Sequence, residues 1–381
     1  MGLRSFLEGL FGSAKYELED DQPGPRAPSE PPREVATEDI EKVWAQPAQP
    51  PPVPVASAAR APAAAPPIDL KNGVQATRFS STILIGLEER LRQDAYDLRG
   101  QNGVFLSYLR RTIAANGIRL PTMPEAVLKL DRLLRNPDCS ITQVADAIRA
   151  EPAIATKVVG IANSPFYSGL SRTSAVEGAI GRLGLSETKN IVQAVAFGSK
   201  LLRVAGWEKE IDQLYHHSLV SALAARALGP RHGLEGDEAF IAGLIHDIGR
   251  SVLISTLGEF QHGQGNKKAR VDLPFMQQLS TSIHADLSAL VAESWNSAAD
   301  VVLGIRFHHA PELVGPEAGR RIAMLLAASD HVARYLLEPA VHAEGLDPAI
   351  AGPEVLTQVY KNAEAFSVPL LAEGAPAKKA G

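Results

Sequence analysis

A single cysteine, Cys139, stands in 381 residues. That excludes an internal disulfide and any multi-cysteine zinc or iron-sulfur site, and it fits a reducing cytoplasm, where the chain is expected to reside. Basic charge is also scarce: 38 Lys and Arg against 43 Asp and Glu give a formal net charge of -5. A long nucleic-acid groove therefore lacks bulk electrostatic support, and no nucleic-acid partner is expected. No apolar run reaches the ~18 to 20 residues a membrane span needs. The opening MGLRSFLEGLFGSAKYE has too short a hydrophobic stretch, and no small-residue cleavage site, for a secretory signal. Period-2 alternation and repeats at fixed spacing are missing too, which leaves an all-α class.

Proline is abundant, but unevenly placed. About half of the 27 prolines fall in the first ~70 residues, with runs such as QPAQPPPVPVASAARAPAAAPP that bury too little apolar surface to offset the entropy of ordering. Residues 1–75 are expected to be a disordered Pro/Ala-rich arm. Leu3, Phe6, Leu7, Leu10 and Phe11 would share one side of a short amphipathic helix at its start. That helix fits either folding on a partner or a membrane-surface anchor.

Beyond the arm, TILIGLEERLRQDAYDLRG and NGVFLSYLRRTIAANG predict two lead-in helices within 76–117. LPTMPEAVLKLDRLL follows, with Val127, Leu130, Leu133 and Leu134 at helical spacing. Ser140 with Gln143, and Ser174 with Glu177, fit capping boxes, and Pro152 suits a first helical turn. In the second half, QLYHHSLVSALAARALG should stop at Gly229, DEAFIAGLIHDIG at Gly249 and DVVLGIRFHHAPE at Pro311. RRIAMLLAASDHVARYLL is the last strong helix. Residues 261–273 predict a polar loop, and 338–381 a final helix near 354–366 with a disordered tail.

The segment AGLIHDIGR poses the functional question, because it sets His246 and Asp247 side by side in an apolar helix. A carboxylate taken out of water needs a partner. His246 shares a face with Ala239, Ala242 and Gly243; His217 heads one with Ser221, Ala224 and Ala225; Asp330 lies among Ala323, Leu326, Ala327 and Ala333. Ionisable groups on such small faces suggest one convergence point inside a helical bundle. Two imidazoles and two carboxylates suit a divalent Mn, Fe, Zn or Mg ion. His284, His308 and His309 could enlarge the site to two metals, which would activate water for in-line phosphoryl displacement, with Arg250 meeting a phosphate oxygen. Blander readings stand beside these. Asp330 and Arg334 fit an ordinary i,i+4 ion pair. His308 and His309 suit a helix C-terminus, His284 a packed histidine, and His216 the surface.

The order of these segments resembles the HDOD domains, HD-related output domains of bacterial signalling proteins, over residues 118–337. LPTMP, ANSPFY and AIGRLG carry the resemblance in the first half. HHSLVSALAARAL, AFIAGLIHDIGRSVL, HADLSALVAESW and IRFHHAPE carry it in the second. Ala150–Pro152 departs mildly from the family pattern. The resemblance implies a two-lobed helical bundle, with an N-terminal lobe (118–205) and a lobe related to the HD metal phosphohydrolases (206–337). It maps the superfamily's metal ligands onto His217, His246, Asp247 and Asp330. A Gly-Tyr-Pro signature is absent, and Arg250 stands where the HD-GYP branch has lysine, which argues against cyclic-di-GMP hydrolysis.

Two functions follow. The first is a signal-transduction regulatory module that binds a signalling protein partner, requires no cofactor, and keeps a vestigial metal pocket. Its input would come from another chain. The second is a metal-dependent phosphohydrolase acting on a nucleotide or other phosphate ester, with Asp247 and Arg250 in the catalytic site.

Overall fold

A computed structural model describes residues 81–94, 96–115, 117–136, 138–167, 172–198, 207–263, 271–337, 346–347 and 349–371. The arm of residues 1–75 with its opening helix, most of the 261–273 loop and the tail after 371 lie outside the described residues. Among the described residues every regular element is helical and no strand occurs, as the missing alternation implies.

Helices α1 (Ser81–Gln93) and α2 (Gln101–Ala114) come first. Five short helices follow: α3 (Glu125–Leu134), α4 (Ile141–Arg149), α5 (Pro152–Ala162), α6 (Val176–Leu183) and α7 (Leu185–Ala196). They pack on one another as a first lobe. The second lobe holds α8 (Glu208–Leu228), α9 (Gly236–Ile245), α10 (Gly249–Gly263), α11 (Leu273–Ser294), α12 (Ala299–Arg306) and α13 (Glu317–Leu337). The lead-in pair lies on this second lobe, with α1 against α11 and α2 against α10, while α14 (Pro353–Leu371) reaches both α8 and α5. One apolar core runs through all of it. Phe105 of α2 meets Phe260 of α10 with ring centroids 5.3 Å apart. Polar contacts join the lobes as well: Asn190 Nδ2 donates to Asp237 Oδ1 at 2.9 Å, Ser186 Oγ donates to the same carboxylate at 2.7 Å, and Arg226 pairs with Glu187.

Local signals explain most helix starts. Gln143 N donates to Ser140 Oγ at 3.2 Å and Ser140 N to Gln143 Oε1 at 2.9 Å, the reciprocal box expected ahead of α4. Pro152 opens α5 without losing a hydrogen bond. The Ser174 box does not form. Ala175 is the N-cap of α6 without a side-chain bond, and the Glu177 carboxylate pairs instead with Arg149 of α4.

Gly249 also departs from expectation. Rather than ending a helix, it opens α10, and the break falls at residues 246–248. A Cβ on Gly249 would lie 2.1 Å from His284 O and 2.7 Å from Ser288 N. The glycine is there to let α11 approach, not to terminate α9. Taken across this break, Gly236–His262 is long and apolar enough for a membrane span by length and composition, unlike the separate runs read from sequence. It is interrupted by the turn, and 89% of its apolar window is buried within the fold.

Candidate metal centre

The close crossing of α8 and α9 comes from the small faces. A Cβ on Gly243 would stand 2.8 Å from Ala225 Cβ and 2.9 Å from both Ala222 Cα and Ser221 O. Only glycine lets the backbones meet there, and the crossing brings the His217 and His246 rings to 5.5 Å between centroids. His246 and Asp247 sit in the α9–α10 turn, His284 comes from α11, His308 and His309 follow the end of α12, and Asp330 comes from α13. The chain thus delivers all seven candidate ligands to one place.

They form two adjoining groups, Asp247 with His284, His308 and His309, and His217 with His246 and Asp330. Within each, the potential ligand atoms all lie within 4.8 Å of one another. Asp247 joins the two: its Oδ2 is 3.7 Å from His217 Nε2, and its Oδ1 is 3.7 Å from His246 Nε2. Asp247 Oδ1 is also 3.3 Å from His284 Nε2 and 3.7 Å from His308 Nε2. His217 Nε2 lies 3.1 Å from Asp330 Oδ1. Of the seven, only His217 and His309 are partly exposed; the rest are buried.

Hydrogen bonding sets the imidazole tautomers. Nδ1 of His246, His284 and His308 lies 2.8, 2.7 and 2.6 Å from the carbonyl oxygens of Gly243, Ser280 and Ile305. A carbonyl only accepts, so each Nδ1 carries the proton and each Nε2 keeps a lone pair, the orientation found in metal-ligating histidines. Nε2 of His217, His246 and His308 and Oδ1 of Asp247 are buried with no hydrogen-bond partner. An orphaned buried polar atom costs about 1–3 kcal/mol, and four gathered in one pocket fit a cation. The donor set therefore suits a divalent ion.

Electrostatics point the same way. Burial pushes the imidazoles of His246, His284 and His309 below their ordinary range, and that of His308 down to about 3. The Arg250 guanidinium lowers His284 further, and His246 does the same to His308. Burial alone would raise Asp247, but Arg250 and the surrounding histidines hold it well below the usual carboxylate range. At Asp330, Arg334 and His217 likewise outweigh burial. Neutral imidazoles beside ionised carboxylates are the protonation states a metal requires.

Arg250, expected to meet a phosphate, is buried. Its Nε donates to Asp247 Oδ2 at 2.7 Å and its Nη1 to Ser280 Oγ at 3.2 Å. The Asp330–Arg334 ion pair forms, but as an interior clamp: Nε meets Oδ1 at 3.1 Å and Nη2 meets Oδ2 at 2.7 Å, with both side chains buried. The i,i+4 spacing was visible in the sequence; the burial that makes the pair part of the site was not. Ser280 and the close approach at Gly249 gave no sequence signal. His216 is half-buried beside Tyr215 and belongs to neither group.

The sequence profile of the HDOD domain matches residues 120–311, half of the chain. An uncharacterised protein of Treponema pallidum (strain Nichols) is 26% identical over 205 residues, which cover 52% of this chain and 40% of that protein. The chain thus spans about two fifths of the length of the curated relative it matches. A candidate metal-dependent phosphohydrolase from Shewanella amazonensis SB2B superposes with a TM-score of 0.53 at 20% identity, over 70% of this chain and 99% of that one. An HDOD domain protein of unknown function from Geobacter sulfurreducens gives 0.49 at 23% identity, over 71% and 95%. At such identities the likeness is one of fold.

Proposed function

The chain belongs to the HDOD domain family, and from that premise we propose that it is a bacterial signal-transduction regulatory module that works by binding another signalling protein, with an HD-type pocket kept for ion binding and architecture. One observation carries this reading: each carboxylate of the pocket is already answered by a buried arginine, Asp247 by Arg250 and Asp330 by Arg334, both at 2.7 Å. A phosphohydrolase needs its carboxylates for metal and a cation turned towards the substrate phosphate. Here both guanidiniums face inward.

His217, His246, Asp247 and Asp330, with His284, His308 and His309, are the residues that would hold a divalent ion, whose chemistry is to polarise a bound oxygen. The chain's own groups fix the frame. Backbone carbonyls orient three imidazoles, Arg250 and Arg334 hold the carboxylates ionised, and burial excludes water from five of the seven side chains. The nitrogen-rich donor set favours Fe or Zn over Mg.

A second reading, hydrolysis of a nucleotide or other phosphate ester, is favoured by the completeness of that donor set. It requires Arg250 to leave Asp247. The test is turnover by the purified full chain on bis(p-nitrophenyl) phosphate and cyclic dinucleotides with added Mn2+ or Zn2+. The regulatory reading expects background rates, unchanged in His246→Ala and Asp247→Ala. Steady turnover that both variants abolish would replace it with the hydrolase.

A further inference from the structure

The turn that follows α5 is pinned at the seam between the lobes. Asn163 Nδ2 donates to Thr173 O at 2.8 Å, and Thr173 N donates to Asn163 Oδ1 at 3.0 Å. Arg182 of α6 adds bonds from Nη1 to Ala162 O at 2.9 Å and to Asn163 Oδ1 at 3.2 Å. The Tyr167 hydroxyl then donates to Glu187 Oε1 at 2.5 Å, while Arg226 of the second lobe holds Oε2 of the same carboxylate. Phe166 stands edge-on to Tyr167, with ring centroids 4.6 Å apart, yet remains 46% exposed. It is the one exposed aromatic side chain among the described residues.

An aromatic ring held out to solvent on a fixed backbone is a binding anchor that loses little freedom when covered. Leu185, the exposed first residue of α7, adds apolar surface at the start of the helix that carries Glu187. The surrounding charge is basic. Arg172 is exposed, Arg182 is half-buried, and the Arg226 side chain is 26% exposed. Against these three guanidiniums stand two carboxylates, both engaged: Glu187 by Tyr167 and Arg226, Asp237 by Ser186 and Asn190. The patch therefore fits an acidic segment with a few large apolar side chains.

We propose that its occupant is the chain's own segment 34–44, EVATEDIEKVW, which docks on Phe166 and Leu185 and covers the seam between the lobes. Glu34, Glu38, Asp39 and Glu41 outnumber Lys42, and Ile40, Val43 and Trp44 recur at a spacing that shares one side of a helix. Neither of the other apolar or acidic stretches of the arm combines the two properties. In residues 3–11 Arg4 and Glu8 cancel, and residues 16–21 carry four acids with only Tyr16 and Leu18. Residues 45–80 connect the segment to α1. Extended as proline-rich chains are, they span roughly 110 Å, against a radius of gyration of about 19 Å for a body of this size. The tether reaches any face and gives an effective concentration on the order of millimolar, so even a small patch is occupied. The docking stands independently of the metal pocket and of the proposed signalling partner.

Hydrogen–deuterium exchange of the full-length chain, read by mass spectrometry, tests this. Amides of residues 34–44 should exchange about tenfold more slowly than an unstructured chain, equally on dilution of the protein, and faster as salt is raised. Phe166→Ala, Arg172→Glu and Trp44→Ala should each remove most of that protection. Trp44→Ala lies outside the folded body, so it decides should either of the other two fail to fold. Unprotected amides at 34–44 overturn the proposal. So does protection that survives all three substitutions, which places the segment elsewhere, and protection lost on dilution, which assigns the patch to a second copy of the chain.

Discussion

Replacing Gly249 by alanine should damage the protein, although the same change normally helps a helix. Glycine inside a helix costs about 0.5–1 kcal/mol relative to alanine. At Gly181 in α6 nothing lies within 4 Å of an added Cβ, so Gly181→Ala should gain about that amount. At Gly249 the new Cβ would stand 2.1 Å from His284 O, 2.7 Å from Ser288 N and 2.8 Å from Leu287 Cβ. The first two are backbone atoms and cannot rotate away, so α11 would have to retreat by about 1 Å to restore ordinary contact. Overpacking of this kind costs about 1–3 kcal/mol or more. The bond from Gly249 N to Ser288 Oγ, 2.8 Å long, would stretch as well, for about another 1 kcal/mol. The steric terms exceed the propensity gain, and a net loss of about 1–3 kcal/mol is expected, which lowers Tm by roughly 2–12 °C in a domain of this size. Thermal and urea denaturation of the two variants beside the parent measures it. A Gly249→Ala protein as stable as the parent would refute the tight α10–α11 approach, and with it the placement of His284 beside Asp247.

Stability of the metal-free protein should fall on acidification. Burial holds His246, His284 and His309 below the ordinary imidazole range and puts His308 near 3, so between about pH 3 and 6.5 the unfolded chain binds more protons than the fold. Stability is then full above about pH 6.5 and is lost below it by up to about 1.4 kcal/mol per pH unit for each imidazole, and a urea midpoint that stays flat from pH 8 to 5 in chelator would contradict this. A second prediction concerns Asp286, buried between Arg90 Nε at 2.9 Å and Arg306 Nε at 2.7 Å. Asp286→Ala strands two largely buried guanidiniums and should cost about 3–5 kcal/mol; a loss under about 1 kcal/mol by thermal denaturation would show that the pairs are solvated.

The helical class and the order of helices were legible because periodicity and punctuation are local. Ser140, Gln143 and Pro152 act within one turn, and they appear in the structure where their chemistry requires. The small faces of His217 and His246 were legible for the same reason, since alanine and glycine at helical spacing leave few other uses for a packed surface. What stayed hidden depends on partners distant in sequence. Glu177 reads as a capping residue until Arg149 is placed beside it, and Gly249 reads as a stop signal until α11 lies across it. Arg250 and Arg334 read as a substrate clamp and a surface pair; only the fold shows that each reaches inward to a carboxylate.

Those two arginines also separate folding from metal binding. A pocket of ionised carboxylates without counter-charges would need its ion in order to form, as small zinc domains do. Here Arg250 and Arg334 supply the counter-charge from within the chain, so Asp247 and Asp330 can be buried before any ion arrives. What the arginines leave unsatisfied is specific: three imidazole nitrogens and one carboxylate oxygen, at about 1–3 kcal/mol each. That is enough for an ion to be bound when present. The pocket is thereby suited to a protein that stands with or without its ion.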